Sequence, residues 1–303
     1  MPKLGLVLIS HGSPSAEWNA GMEAIAERVR QELQDSSIES PFEIVKLAHL
    51  EFVAPSIADV CDEFETAGID RIFALPIFIS ISSHTGLDIP NALNIQYHVN
   101  SDPKIRRYLG KVPITLCPPL DHGSMLPEVI ADAAAAISAN PTMESAVLLS
   151  HGDGCEHFWN HLHRRVAHAV TAKTGIKEVS WAIVQTGRSD AAKQRYRETV
   201  QAALVNKERV LVLSCFTGLS GSQFLVRLAR GEADPRIVGC KGWADHPALA
   251  RQIAAVACVA ARDCVSRDKN VESKETSDVM DEKEQPPYNP PFYLTRDRTI
   301  EGA

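Results

Sequence analysis

Three side chains able to bind metal or move protons stand at the ends of apolar runs. His11 follows Leu4 to Ser10, Glu51 follows Phe42 to Leu50, and His84 lies in a polar loop beyond Arg71 to Ile79. Open α/β sheets gather their chemistry outside the carboxyl ends of parallel strands. Strands ending at these positions therefore aim all three groups at one edge of one sheet. Two imidazoles and a carboxylate suit a borderline divalent ion such as Fe²⁺, Co²⁺, Ni²⁺ or Zn²⁺. The same groups can accept protons near neutral pH. The plainer alternative is that His11 hydrogen-bonds within a turn and His84 is an ordinary surface residue.

The first of these ends occurs twice. Val7-Leu8-Ile9-Ser10-His11-Gly12 reappears 140 positions on as Val147-Leu148-Leu149-Ser150-His151-Gly152. Each copy reads as a buried strand delivering a histidine, with glycine permitting a sharp exit. Its companions are not repeated. Gln185 falls opposite Glu51, and Ser222 or Gln223 opposite His84, so the second site is degenerate even if Asp153 compensates in part.

The elements needed to hold these groups alternate strand and helix. After Leu4–Ser10 comes a helix striped with Met22, Ile25, Val29 and Leu33, then a strand from Phe42. Pro55 is expected at the first turn of the next helix, with Gly68 stopping it. Pro113 to Cys117 is a fourth strand and Pro127 to Ala139 a helix. The same order follows from Ala146 to Ala261, which argues for duplication. The expected fold is α/β: two tandem doubly wound parallel-sheet lobes facing a central cleft. Residues 1–140 form the lobe carrying the site, 141–263 the degenerate lobe and 264–303 a tail. The tail is polar from 266 to 285 and then reads Pro286-Pro287-Tyr288-Asn289-Pro290-Pro291-Phe292-Tyr293. That composition predicts disorder, or else a docking segment for another protein.

Composition narrows the partners. Of 303 residues, 45% are hydrophobic and 23% charged, with net charge −7, so nucleic acid is disfavoured. No run approaches the ~20 apolar residues of a membrane span. The run Leu4 to Ile9 is too short for a signal-peptide core and has only Lys3 as a preceding charge, which makes the cytoplasm the default location. Seven scattered cysteines without a CxxC pair suit a reducing compartment. No phosphate-binding glycine loop occurs. His157 and His161 share a helix face, but a solvated face is the better reading without a third ligand. Lys104, Arg106, Arg107 and Lys111, with Arg164 and Arg165, could hold the carboxylates of an anionic ligand. Ser10 and His11 point to opposite faces of a strand and make a poor nucleophile pair.

These residues resemble the class II tetrapyrrole chelatases, in particular the sirohydrochlorin chelatases of the CbiX type. The matching stretches are Leu8-Ile9-Ser10-His11-Gly12-Ser13, Leu50-Glu51 with Pro55-Ser56-Ile57, Leu75-Pro76-Ile77-Phe78 running to His84 with Asp88-Ile89-Pro90, and Pro118-Pro119-Leu120. The resemblance implies insertion of a divalent metal (Co²⁺ or Fe²⁺) into sirohydrochlorin or a related anionic tetrapyrrole. It places the metal-handling histidines on His11 and His84 and the acidic partner on Glu51. No cofactor is implied beyond the metal, which is a substrate. The competing expectation is a metal or tetrapyrrole carrier on the same scaffold.

Overall fold

The computed structural model describes residues 2–35, 40–79, 82–97, 99–120, 125–150, 156–183, 190–215, 234–240, 242–272 and 294–296. The chain divides into two compact units, Met1–Leu120 with Ala250–Ala303, and Asp121–Leu249.

In the first unit β1 (Leu4–Ser10) is buried along its whole length. It pairs in parallel with β2 (Phe42–His49) on one side and β3 (Arg71–Pro76) on the other. β4 (Ile114–Leu116) pairs in parallel with β3, giving the order β2-β1-β3-β4. A strand buried on both faces must be apolar throughout. Val7 and Ile9 accordingly join a core with Ile57, Val60 and Phe64 of α2 (Ile57–Thr66). Leu6 and Leu8 face the opposite way. α1 (Ala16–Asp35) buries the expected stripe of Met22, Ile25, Val29 and Leu33. With this order the chain leaves β1 in one direction and returns to its other side as β3. The crevice between the carboxyl ends of β1 and β3 is thus the switch point at which such sheets bind ligands.

Two local expectations are revised. Pro55 does not open α2. Ser56 does, accepting a hydrogen bond from the Asp59 backbone N–H while Asp59 accepts from Ser56 N–H. The stretch expected as a polar loop around His84 is helical instead. His84–Asp88 forms a widened turn, closed by Ile89 N–H donating to the His84 carbonyl, and runs into the short α3 (Ile89–Ala92). Widened turns of this kind recur at functional sites.

The second unit repeats the strand order. β5 (Glu144–Ser150) lies between β6 (Val179–Ile183) and β7 (Arg209–Ser214), with β8 (Ile237–Gly239) beside β7, all parallel. Val147, Leu149, Val210 and Val212 pack against Tyr196, Val200 and Leu204, the first two of them from α6 (Asp190–Ala203). α4 (Met125–Ile137) packs on α5 (Glu156–Thr174) and so belongs to this unit, although its sequence position suggested the first lobe. The last helix, α7 (Pro247–Glu272), passes from the second unit into the first at Ala250 and runs beyond the expected boundary at 263. Beyond it, β9 (Leu294–Arg296) adds an antiparallel strand to β4, so the expected disorder does not hold for these three residues. Pro286 to Tyr293 lie outside the described residues. No helix among the described residues is long and apolar enough to cross a membrane.

Candidate metal-binding site

The exits of β1 and β2 are laced together past the ends of the strands. Leu50 N–H donates to the Ser10 carbonyl at 2.9 Å, and Glu51 N–H to the His11 carbonyl at 3.0 Å. Gly12 makes this approach possible. Its φ is +78°, and a Cβ there would stand 2.1 Å from the Glu51 carbonyl oxygen. Below the site, Ser10 Oγ meets Nδ1 of the buried His49 at 2.7 Å. Burial holds the His49 pKa below the usual imidazole value. Ser10 is therefore occupied by His49, not by His11.

The three residues singled out by sequence converge. His11, Glu51 and His84 each offer a ligand atom, all within 4.8 Å of one another, and each side chain is half-buried. The two histidine Nε2 atoms are 3.2 Å apart. Their Nδ1 partners decide what those atoms can do. His11 Nδ1 is 2.9 Å from the Gly12 carbonyl, and His84 Nδ1 is 2.8 Å from Asp88 Oδ2. Carbonyl and carboxylate oxygens only accept, so each Nδ1 carries a hydrogen, and each ring in its neutral form presents its lone pair at Nε2. With both rings neutral, two lone pairs would face one another, an arrangement relieved by a shared proton or by a metal ion between them. For an imidazole–metal bond of about 2.0–2.1 Å, as for zinc, two ligands at tetrahedral or right angles stand about 2.9–3.4 Å apart. The observed spacing falls within that window.

Asp88 is the residue that sequence reasoning left without a role. It is 6% exposed, and its second oxygen accepts from Asp102 N–H at 3.1 Å. Its spacing of four from His84 places it on the same face of a helical turn, a relation hidden while the stretch read as a loop. Aromatic rings line the pair: Phe52 has its centroid 5.8 Å from that of His11, and Phe78 lies 6.4 Å from each histidine.

Other candidates fall elsewhere. Arg106 is bound to Asp59 and Asp62, while Arg107 donates to Asn94 and lies over the Tyr97 ring, so these two cations are already engaged. Lys104 and Lys111 are exposed, as are Arg164, His161 and His168. His151, Asp153, Gln185, Ser222 and Gln223 lie outside the described residues, as does the side chain of His157.

Comparison with known proteins now bears on this arrangement. Residues 5–137 match the CbiX family model. The matched stretch contains His11, Glu51 and His84. A sirohydrochlorin cobaltochelatase from Methanococcoides burtonii is 25% identical over 132 residues, 44% of this chain and 95% of that one. Another, from Methanopyrus kandleri, is 30% identical over 93 residues, covering 31% of this chain and 60% of that one. Both alignments are shorter than the stretch that matches the family model, and neither spans half of the chain. The solved structure of SirB from Bacillus subtilis with Fe³⁺ superposes with a TM-score of 0.62 at 14% identity, over 90% of this chain and 98% of that one. The fold it shares therefore extends over both units.

Proposed function

We propose that this chain inserts a divalent metal ion, Co²⁺ or Fe²⁺, into sirohydrochlorin or a closely related anionic tetrapyrrole. The observation that carries the reading is the meeting of the His11 and His84 Nε2 atoms 3.2 Å apart beside Glu51. It is supported by the CbiX match over those residues and by the names of the relatives.

Insertion exchanges two pyrrole protons for one metal ion. The ion must shed water, and neutral imidazoles replace water well for Co²⁺, Fe²⁺ and Ni²⁺. In this reading His11 and His84 receive the ion and hold it at the edge of the sheet. Glu51 offsets its charge and takes a proton as a pyrrole nitrogen forms its bond to the metal. The second proton leaves to water. The metal is consumed as a substrate, and no separate cofactor enters the scheme. Among the described residues no cysteine forms a disulfide, and Cys61, Cys117, Cys215, Cys240 and Cys258 are buried, which fits a reducing, cytoplasmic setting.

The test is incubation of the purified chain with metal-free sirohydrochlorin and Co²⁺, Fe²⁺ or Ni²⁺ in turn, followed by absorbance. Turnover of the macrocycle spectrum above the rate without protein is the expected result. Stoichiometric binding without turnover would establish a carrier instead.

A further inference from the structure

The backbone at Phe52 is unlike any other among the described residues. Its φ is +69°, a region that bulky side chains rarely enter. Asn94 and Asn206 also have positive φ, but asparagine adopts it readily. Val53 N–H donates to the Glu51 carbonyl at 2.9 Å, closing a three-residue turn with Phe52 at its centre. At this φ that turn is of the rare, strained kind. The loop cannot slide out of it. His49 N–H donates to the Pro55 carbonyl at 2.9 Å, and Leu50 and Glu51 are tied to the exit of β1.

The strain does not serve packing. Phe52 remains 61% exposed, the ring standing in solvent where a phenylalanine gains least. It stands beside the metal-binding group instead, 5.8 Å from the His11 ring centroid with the two planes 32° apart. Strained residues held by a well-determined surround cluster at functional sites. An exposed aromatic face next to a pair of metal ligands suits a flat, conjugated ligand. Aromatic rings attract such faces in offset or tilted contact at centroid distances of about 4.5–7 Å.

We propose that Phe52 is a platform for the π-face of the tetrapyrrole, holding the macrocycle so that its nitrogens meet the ion carried by His11 and His84. The assignment rests on the metal-insertion reading above and names the residue that positions its organic substrate. The ion itself needs only the imidazoles and the carboxylate, so Phe52 serves one substrate and not the other.

That division is the test. Phe52→Ala, Phe52→Trp and Phe52→Gly are compared with the unmodified chain by steady-state insertion of Co²⁺ and by titration of metal-free sirohydrochlorin. Co²⁺ binding is measured separately in the absence of macrocycle. Phe52→Ala is expected to raise both the KM and the Kd for sirohydrochlorin about 5–10-fold. It should leave the Kd for Co²⁺ unchanged and lower kcat less than it raises KM. Phe52→Trp should restore macrocycle binding. Phe52→Gly should bind the macrocycle as poorly as the alanine variant without losing thermal stability, because glycine suits a positive φ. An alanine variant with unaltered KM and Kd for sirohydrochlorin, in a chain that does turn over, overturns this assignment alone. A parallel loss of Co²⁺ affinity overturns it too, by showing that Phe52 shapes the ion site. If the unmodified chain neither binds nor metallates sirohydrochlorin, both readings fall together.

Discussion

An imidazole offers its lone pair on whichever nitrogen lacks the hydrogen, so a ligand histidine is only as well defined as the partner on its other nitrogen. For His84 that partner is Asp88, 2.8 Å away and itself fixed by Asp102 N–H. Replacing Asp88 with asparagine keeps the shape but removes the charge and allows the amide to turn. Asp88→Asn should weaken Co²⁺ binding about 10–100-fold, the usual scale for such supporting carboxylates. A titration followed by the visible absorption of bound Co²⁺ measures this. An unchanged Kd would remove Asp88 from the site. His11→Ala and His84→Ala delete ligands outright and should each abolish insertion while far-UV circular dichroism stays unaltered. Retained turnover in either variant would strike that histidine from the scheme. At this scale the sequence was informative wherever a reactive side chain follows a recognisable strand, directly as with His11 and Glu51 or one loop further as with His84. Asp88 was not legible as a partner because its meaning depends on His84–Asp88 being a helical turn. Phe52 was not legible because nothing in its neighbours marks a positive φ.

Among the elements, the critical one is the seam where the exits of β1 and β2 meet. β1 brings His11, β2 brings Glu51, and the two backbones touch through Gly12. A methyl group at residue 12 cannot be accommodated by rotating a side chain, because the atom it meets is a backbone oxygen 2.1 Å away. Gly12→Ala must either part the two exits or carry a strained φ, and a cost of about 3 kcal/mol is expected. Urea unfolding measures that cost. The same variant should lose insertion activity beyond its loss of folded protein, since parting the exits moves Glu51 away from His11. A variant as stable as the parent would show that the seam yields easily. The strand cores and the α1 stripe were readable from apolar runs and period alone. The entry to α2 was not, because Pro55 and Ser56 both carry start signals and only the hydrogen bonds show that Ser56 makes the cap.

For the whole molecule, duplication is visible in the sheets, since β2-β1-β3-β4 and β6-β5-β7-β8 follow one plan. Sequence order anticipated that plan but not where each helix would pack. An apolar stripe such as that of α4 states that a helix is covered, not by which sheet, and α4 joins the second unit. The second unit has also turned a matching residue to a structural use. Where Ser10 meets His49, Ser150 meets Nε2 of His163, a fully buried histidine between Trp159 and Trp181. Burial pushes the His163 pKa down to about 4 from 6.5. Its Nδ1 has no partner, so the folded state has nowhere to put a second hydrogen. The unfolded chain takes up that proton near pH 6.5 and the folded chain does not. The neutral ring's contribution is therefore complete above pH 6.5 and is lost progressively as pH falls through about 4. The full effect is on the order of 3 kcal/mol. His163→Gln cannot be protonated. It should be less stable than the parent at pH 7 but show a flatter decline between pH 6.5 and 4 in urea titrations. If both proteins lose stability in parallel over that range, the acid sensitivity lies with other groups, the buried His49 of the first unit first among them.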